Sequence, residues 1–412
     1  MSDIQAFITG DIPAVAVAPA AAGAQRGVQS IAVEIADVAR LAELRPCWID
    51  LLARADAPNA LMDPAVVQAA AEVFPEAQIQ TLLAWKSQAN GPRQLTGIWA
   101  FSVGRPHQSA FPVRVLTFPA GPHRYLATPV IDRACLDETL HAMLDALAAD
   151  PKLPKIAALD AMGTGSLTMA ALERVLDARG SSPCILEQFL RPKLASELDG
   201  KSYLEKALSS SSRKKLRQHR RRLAEKGALT TVVATEPEPV RRALEDFMRI
   251  EASGWKGRQG TALLCDAGTA TFMRNAIATM ADLGCASIHA LYLDQRPVSM
   301  QIVVRAGAMA FTWKTAYDEE FHDFSPGMLL LEDYTAAFLA DKSIASVDSC
   351  AYDDSGYMSA WTERQSVADL WIDARRGGSL TFRILSGLQK HYRAMRAVTK
   401  STYLALQGWR KP

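Results

Sequence analysis

Lys314 and Asp318 are residues of opposite charge, four positions apart in the segment FTWKTAYDEE (311–320), whose composition predicts a strand. Side chains four apart on a strand point to the same face, and charges on a helix-covered face are costly to bury unless they pair or face a cleft. Asp318 is therefore the candidate general base, with Lys314 as its catalytic neighbour; a structural ion pair between them is the alternative. Trp313 and Tyr317 occupy the opposite face and are candidate substrate-binding residues.

The segment after this strand predicts an anion-binding helix start. A polar loop ends in Ser325-Pro326-Gly327, and an apolar helical segment follows from Met328. Pro326 suits the first helical turn, and Ser325 is a good N-terminal cap. The unpaired N–H groups of such a helix lie near the carboxyl end of the preceding strand, where they can bind a phosphate or an oxyanion. Ser325, Gly327 and Met328 are therefore the candidate cofactor-binding residues.

Three more candidates follow from their positions in loops and at strand ends. Asp348 ends the strand ASVDSC (345–350), at the edge where clefts of α/β proteins usually lie. It is expected to orient an amine or a sugar hydroxyl, and capping of the next turn is the alternative. Trp255 and Lys256 stand between two glycines in a loop, which favours an exposed aromatic platform with a charge for phosphate or carboxylate. A tryptophan plugged into the core is the alternative there.

Positive charge is concentrated in two segments. Seven of the ten residues from Arg213 to Arg222 are Lys or Arg, within a predicted basic helix over Tyr203–Gly227. This helix predicts binding of an anionic nucleotide effector or tRNA, with Arg217 and Arg221 as contact residues; a solvated helix face is the alternative. From Gly377 to Pro412 there are seven basic residues and no acidic one.

The C-terminal segment is also amphipathic. Its apolar residues recur at helical spacing: Leu380, Ile384, Leu388, Tyr392 and Met395. Such a basic helix predicts peripheral contact with a membrane surface, and packing of the same stripe against the core is the alternative.

The whole chain is typical of a two-domain cytoplasmic protein. Its 412 residues exceed one ordinary core, and its hydrophobic content of 49% is typical of globular proteins. The six cysteines and seven histidines are dispersed without ligand spacing, which predicts no metal site and no disulfides. No apolar run reaches the roughly 20 residues of a membrane span, and no basic start resembles a secretory signal. We therefore expect a cytoplasmic location, with peripheral contact at the inner membrane if the tail binds lipid.

The order of predicted elements divides the chain into four parts and suggests an internal repeat. We expect a flexible leader (1–30), an N-terminal domain (31–199), a C-terminal domain (200–376) and the basic tail (377–412). A helix, a Lys-containing turn and a strand ending on an acidic residue occur in both halves, with Asp160 and Asp348 in matching places. Helices alternating with strands, some of them antiparallel, predict an α/β fold with mixed sheets flanked by helices.

Several separated motifs resemble the acyltransferase domain of CelD-type polysaccharide biosynthesis proteins, a GNAT-like family related to the FemAB and FemX transferases. They span residues 200–375: Gly254-Trp255-Lys256-Gly257 with Gly260-Thr261-Ala262, Trp313-Lys314 with Ala316-Tyr317-Asp318, Ser325-Pro326-Gly327, Asp348 and Trp361. The resemblance implies tandem GNAT-like (acyl-CoA N-acyltransferase) domains, the first of them degenerate. It also implies transfer of an acyl group, with acetyl-coenzyme A as co-substrate, to an amine of a sugar or glycan precursor.

One departure from the family pattern leaves the donor open. GNAT enzymes hold the coenzyme A pyrophosphate with a glycine-rich loop before the equivalent helix, whereas the loop here, EEFHDFSPGM (319–328), has a single glycine. An aminoacyl-tRNA donor, as in Fem-type relatives, and a degenerate transferase acting as a nucleotide-responsive regulator are the alternatives.

Overall fold

The computed structural model describes residues 30–88, 91–109, 111–120, 124–352, 354 and 356–408, with side chains up to residue 399. Over these residues the chain forms thirteen strands. Those of the first half are β1 (Ile31–Ala36), β2 (Gln80–Gln88), β3 (Gly91–Gly104), β4 (Val115–Phe118), β5 (Val130–Ile131), β6 (Ile156–Gly163) and β7 (Cys184–Leu194). Those of the second half are β8 (Leu229–Ala234), β9 (Ala286–Leu293), β10 (Arg296–Ala306), β11 (Met309–Tyr317), β12 (Ser346–Asp348) and β13 (Glu363–Asp373).

Twelve α-helices accompany the strands in the described part of the chain. They are α1 (Val38–Leu41), α2 (Arg45–Arg54), α3 (Pro64–Val73), α4 (Leu136–Ala149), α5 (Leu167–Ala178), α6 (Gly200–Ala207), α7 (Ser210–Ala224), α8 (Pro237–Ser253), α9 (Trp255–Arg258), α10 (Ala267–Asp282), α11 (Pro326–Ala340) and α12 (Leu380–Gly408). The predicted basic helix is divided into α6 and α7, because Ser209 adopts an extended backbone and caps α7 by accepting the N–H of Ser212.

All thirteen strands belong to one mixed sheet. The order is β1-β2-β3-β4-β6-β13-β7-β12-β11-β10-β9-β8, and β5 pairs with β3. Two pairs are parallel, β4 with β6 and β11 with β12, and each is three residues long. One helix, α4 or α11, connects the two strands of each pair, so the same unit occurs in both halves as the repeat predicts. The predicted fold class, an α/β protein with a mixed sheet flanked by helices, is confirmed.

The two halves exchange strands at their junction. The last strand, β13, lies between β6 and β7, although β6 belongs to the first half and β13 to the second. In turn β7, from the first half, pairs with β12 of the second half. The sheet is therefore continuous across the predicted boundary near residue 200, and the division into two domains at that point stays a prediction.

Helices cover both faces of the second half of the sheet. Apolar residues of α8 and α10, such as Leu244 and Phe272, pack against Ile302 on one face. Apolar residues of α6, α7 and α11, such as Tyr203 and Leu330, form a separate cluster on the other face. Because side chains alternate along β9, β10 and β11, each strand contributes to both clusters. This packing fixes the end of β11 relative to the start of α11.

The C-terminal segment forms α12, but its predicted apolar stripe does not pack against the core. The helix contacts the sheet through Phe382, Ser386, Gln389 and Arg393, all buried, whereas the stripe from Leu380 to Met395 is exposed. Core packing of that stripe is therefore excluded. No helix in the described ranges is long and apolar enough to cross a bilayer.

Candidate active site

The candidate site is a cavity that begins where two parallel strands separate. β11 and β12 pair only from Met309 opposite Ser346 to Phe311 opposite Asp348. β11 then continues to Tyr317, whereas β12 has ended. Past the pairing with β12, residues 315–317 of β11 line a cavity of about 400 Å³. Its lining comprises Ile250, Glu251, Gly254, Trp255, Lys256, Thr315, Ala316, Tyr317, Glu319, His322, Ser325, Pro326, Gly327, Met328 and Tyr357.

The start of α11 forms one wall of this cavity, as its sequence predicts. Ser325 is at the capping position, but its side chain makes no capping bond because its backbone is left-handed, with φ of 50° and ψ of 53°. Capping by a serine hydroxyl needs an extended backbone, so that expectation is wrong. The N–H groups of Met328 and Leu329 both donate to the Ser325 carbonyl oxygen, at 2.9 and 3.2 Å. Within the described chain Gly327 therefore has the first N–H available to an anion, and open space surrounds the place a Cβ would take.

Trp255 and Tyr317 form an aromatic rim on the cavity. Trp255 is 46% exposed and Tyr317 is 38% exposed, so Trp255 is not plugged into the core. The carboxylate of Glu319, in the turn before α11, accepts the backbone N–H of Trp255 at 2.7 Å and pairs with Arg258 at 2.7 Å. These bonds, from Arg258 and then from Trp255, lower the pKa of Glu319. They also connect the short helix α9 to the turn that precedes α11.

A buried carboxylate between two lysines forms the polar floor of the cavity. Glu251 of α8 has a fully buried side chain, and its Oε1 accepts from Lys256 Nζ at 2.8 Å and lies 3.5 Å from Lys314 Nζ. Its Oε2 accepts the N–H of Leu263 at 2.8 Å, and Lys256 also donates to the carbonyl oxygen of Thr315 at 3.2 Å. The cluster thus connects α8, the α9 turn and β11 at the base of the cavity.

Opposing effects determine the protonation of this cluster. Burial raises the pKa of Glu251, but the charges of Lys314 and Lys256 outweigh it and hold the pKa below its usual range. Burial lowers the pKa of Lys314, although the charge of Glu251 partly offsets that effect. Glu251 is consequently ionised at neutral pH. One carboxylate thus serves both lysines of the cluster.

The structure separates Asp318 from Lys314, contrary to the predicted shared strand face. Asp318 lies just past the end of β11, where its carboxylate pairs with Arg296 at 2.5 Å and accepts the N–H of Glu320 at 3.1 Å. It is not among the residues that line the cavity. The ion pair expected between the two is therefore wrong, because Lys314 is paired with Glu251 instead. A role for Asp318 as base has no geometric support.

Asp348 and Trp313 are also outside the cavity. Asp348 is fully buried, with its carboxylate 3.3 Å from the guanidinium of Arg191, and it accepts the N–H of Cys350 at 2.7 Å. The bond from the Cys350 N–H corresponds to the alternative role for Asp348, capping of the turn that follows the strand. Trp313 is buried and packs edge-on against Phe272, so the predicted role in substrate binding does not fit its position.

The basic helix α7 lies beside the cavity without lining it. Leu216 and Leu223 are buried, whereas Arg217 and Arg221 are exposed, and Arg221 is 3.6 Å from Glu225. Arg222 and Lys226 lie over the ring of Phe324, at 5.5 and 5.7 Å, directly before Ser325. These cations adjoin the start of α11.

Tyr357 and Glu251 are site residues that the sequence analysis missed. Tyr357 follows β12 and faces the cavity from the side opposite α8. Burial raises the pKa of Tyr357 despite hydrogen bonds with Thr315 and Tyr334, so its phenol retains the proton at neutral pH. A signal for Glu251 was present: it follows Val240, Leu244 and Phe247 at helical spacing, which places a carboxylate in an apolar stripe. No comparable signal marks Tyr357.

Comparisons with known proteins agree with this architecture. Residues 210–357 match the family described as the acetyltransferase (GNAT) domain. The structure of FemX is similar to the chain with a TM-score of 0.54 and 12% identity, covering 86% of this chain and 99% of that one. The C-terminal domain of a putative lysylphosphatidylglycerol synthetase from Agrobacterium fabrum is similar with a TM-score of 0.50 and 13% identity. The similarity covers 85% of this chain and 95% of that one.

A tandem GNAT protein from the clavulanic acid biosynthesis pathway is also similar, with a TM-score of 0.40, 13% identity and coverage of 85% and 99%. No curated protein sequence matches the chain. Among the described residues no group of three or more His, Cys, Asp and Glu side chains is arranged to hold a metal ion. The chain therefore shares the fold of FemX over most of its length, and residues 210–357, which contain the cavity, match the acetyltransferase (GNAT) domain.

Proposed function

We propose that this protein is an N-acyltransferase that transfers an acetyl group from acetyl-coenzyme A to an amine of a sugar or glycan precursor in exopolysaccharide biosynthesis. The observation that carries the proposal is the cavity along the end of β11, past its pairing with β12, which is bounded by the start of α11. The amino-sugar acceptor is supported only by the CelD-type sequence resemblance. The cavity itself supports direct transfer between a donor and an acceptor.

The start of α11 would bind the phosphates of the donor. The N–H of Gly327 is available there, and the positive end of a helix dipole favours an anion. Arg222 and Lys226, beside Phe324, add positive charge near the same helix start. The edge of β11 at Ala316–Tyr317, past its pairing with β12, would bind the amide groups of an extended donor arm.

Tyr357 is the proposed proton donor for the leaving group. In direct transfer the amine nitrogen forms a bond to the acyl carbon, and the carbon–sulfur bond breaks. The departing thiolate takes the proton of the Tyr357 phenol as the carbon–sulfur bond breaks, and the proton released by the amine restores the phenol. His322 replaces Asp318 as the candidate acceptor of the amine's proton, because it lines the cavity and its Nε2 becomes free when its exposed contact with Asp323, at 3.1 Å, opens.

Trp255 and Tyr317 would bind the acceptor at the rim, and the ammonium group of Lys256, which lines the cavity, would stabilise the oxyanion. No covalent intermediate is required. Arg217 and Arg221 remain proposed contacts for an anionic nucleotide effector or for tRNA, since they face solvent on α7.

Isothermal titration calorimetry with coenzyme A and acetyl-coenzyme A tests the donor site through a matched pair of variants. Gly327→Glu places a carboxylate in the open space at the helix start, and Gly327→Gln places a neutral side chain of the same size there. Both fit, and an acidic residue stabilises a helix start, so the fold is retained. We expect the Glu variant to bind coenzyme A at least about tenfold more weakly, the effect of roughly 1.4 kcal/mol of repulsion, and the Gln variant to resemble the wild type.

Two other outcomes would overturn the choice of donor. Salt-sensitive tRNA binding without affinity for coenzyme A would assign an aminoacyl-tRNA donor instead. Absence of binding to either would indicate a degenerate transferase. If coenzyme A binds, release of free thiol from acetyl-coenzyme A in the presence of individual amino sugars identifies the acceptor.

A further inference from the structure

The C-terminal helix α12 exposes a continuous apolar stripe. Six large side chains, from Leu380 at 72% exposure to Val398 at 65%, lie on its solvent side: Leu380, Ile384, Leu388, Tyr392, Met395 and Val398. Their spacing places them within about one third of the helix circumference and along about 27 Å of its length. A large exposed stripe of this kind marks an interaction surface rather than scattered surface residues.

The opposite side of α12 is fixed to the protein by polar contacts. The side-chain amide of Gln389 donates to the carbonyl oxygen of Gln108 at 2.9 Å. The guanidinium of Arg393 pairs with Asp369 and donates to the carbonyl oxygen of His107 at 3.0 Å. These groups are buried, so rolling the helix to bury its apolar stripe would leave them without partners. The stripe is therefore held outward.

The distal part of the described helix extends away from the core. All six residues from Ala394 to Thr399 are exposed among the described residues. Helical propensity alone gives only marginal stability in water to the exposed end of a helix. A surface that receives the stripe would supply the missing stabilisation.

The charges around the stripe indicate what that surface is. Exposed Arg383 and Lys390 flank it on one side and Arg396 on the other. There is no acidic residue between Gly377 and Pro412. Apposing two copies of this helix would bring like charges together, whereas an anionic bilayer surface attracts them and accepts the apolar side chains below its headgroups.

We propose that α12 is an interfacial helix that holds the protein on an anionic phospholipid bilayer, with the stripe from Leu380 to Val398 inserted at the headgroup boundary. This inference is independent of the acyltransferase proposal. The long basic side chains beside the stripe reach toward the phosphates while the apolar residues remain below them. Binding therefore depends on both apolar area and charge.

Cosedimentation of the full chain with vesicles tests the proposal. Vesicles of phosphatidylcholine mixed with phosphatidylglycerol should bind the protein, and vesicles of phosphatidylcholine alone should bind it more weakly. The double variant Leu388→Glu with Met395→Glu should weaken binding at least about tenfold, since two apolar side chains are lost from the interface. Arg383→Glu with Lys390→Glu should weaken binding to the anionic vesicles and reduce its salt dependence.

Matched controls separate the stripe from general surface changes. Leu167→Glu with Val232→Glu changes two exposed apolar residues elsewhere, and Lys152→Glu with Lys206→Glu changes two exposed lysines elsewhere. Both controls should bind vesicles like the wild type, and circular dichroism should show all variants folded. Equal binding by the stripe variant, or no binding by the wild type, overturns the proposal. So does a dimer in light scattering that the stripe variant abolishes, because the stripe would then join two copies.

Discussion

Glu251 is the residue on which the candidate site depends most. Its two oxygens hold Lys256, Lys314 and the backbone of Leu263, and so join a helix, a turn and a strand below the cavity. A buried carboxylate contributes through the partners it satisfies, and its removal leaves those partners uncompensated. The residue thus positions Lys256 at the cavity as well as stabilising the fold.

Glu251→Gln should lower the free energy of unfolding by about 2–4 kcal/mol at pH 7, because the buried carboxylate is lost and two partly buried lysines lose their counter-charge. The sign of its pH dependence follows from the lowered pKa. The stability that the carboxylate contributes is complete above its ordinary pKa of 4.5 and is lost as pH falls through the lower value of the folded state. Urea unfolding at pH 7 and at progressively lower pH should show the difference between variant and wild type shrinking.

Glu245→Gln is the matched control for this prediction. Glu245 lies on the same helix and pairs with Arg274, but both side chains are 43% exposed. Exposed ion pairs contribute about 0–1 kcal/mol, so this variant should remain close to the wild type. An equal decrease in the free energy of unfolding in the two variants would show that the buried Glu251 ion pairs stabilise the fold no more than an exposed pair does.

At the residue scale the sequence identified residues that line the cavity, but it did not identify which charged residues form ion pairs. Trp255, Lys256, Tyr317 and Gly327 line the cavity as a set of separated motifs suggested. Asp318 was expected on the same strand face as Lys314, but β11 ends one residue before it. Pairing with Arg296 on the neighbouring strand is a tertiary contact that local spacing does not encode.

The short helix α9 is the element that presents the aromatic rim. It follows α8 directly, and at Gly257 its backbone passes close to the preceding helix, because a Cβ there would lie 1.8 Å from the carbonyl oxygen of Ala252. This close approach is possible only for glycine. It folds the chain back so that Lys256 reaches Glu251 while Trp255 stays at the rim.

Gly257→Ala should therefore destabilise the protein by about 3 kcal/mol or more and displace the rim, because the clash is with backbone. Urea unfolding measures the first effect, and calorimetry with coenzyme A on the folded fraction measures the second. Gly165→Ala is the control, since open space surrounds the added Cβ and no left-handed backbone is required. A Gly257→Ala protein as stable as this control would contradict the proposed constraint.

At the element scale the sequence predicted more than it missed. The periodicity of α11 and the apolar run of β11 gave both elements to within a few residues. The separation of α6 from α7, and the left-handed backbone of Ser325, depend on how these segments dock and were not predicted. Hydrophobic spacing left the orientation of α12 open between a membrane-facing stripe and a core-packed one, and the polar contacts that hold its other face inward are tertiary.

At the scale of the whole molecule the exchange of strands is the dominant feature. β13 supplies the strand between β6 and β7, so residues 31–199 lack a central part of their own sheet. An open gap in the middle of a sheet leaves two rows of backbone N–H and C=O groups without partners. Local sequence patterns cannot reveal such an exchange, because β13 would have the same pattern of apolar residues whether it paired with strands of the first half or of the second.

The fragment 30–199 should accordingly not fold by itself. We expect it to show no cooperative unfolding transition in urea and a poorly dispersed amide spectrum, because β6 and β7 have lost the strand between them. Coexpression with the fragment 200–412 restores β13 and should give a stable complex. A cooperative transition of the isolated fragment would instead support an autonomous first domain.

The strand exchange also constrains how the cavity can close. Many two-domain enzymes sequester substrates by rotating one domain against the other. Here β7 and β13 are hydrogen-bonded from Glu363 opposite Lys193 to Trp371 opposite Cys184, and a hinge between the halves would have to break this ladder. Access to the cavity must therefore be regulated locally, by the α9 turn and the turn before α11. Glu319 joins those two segments, so they would open and close as a single gate.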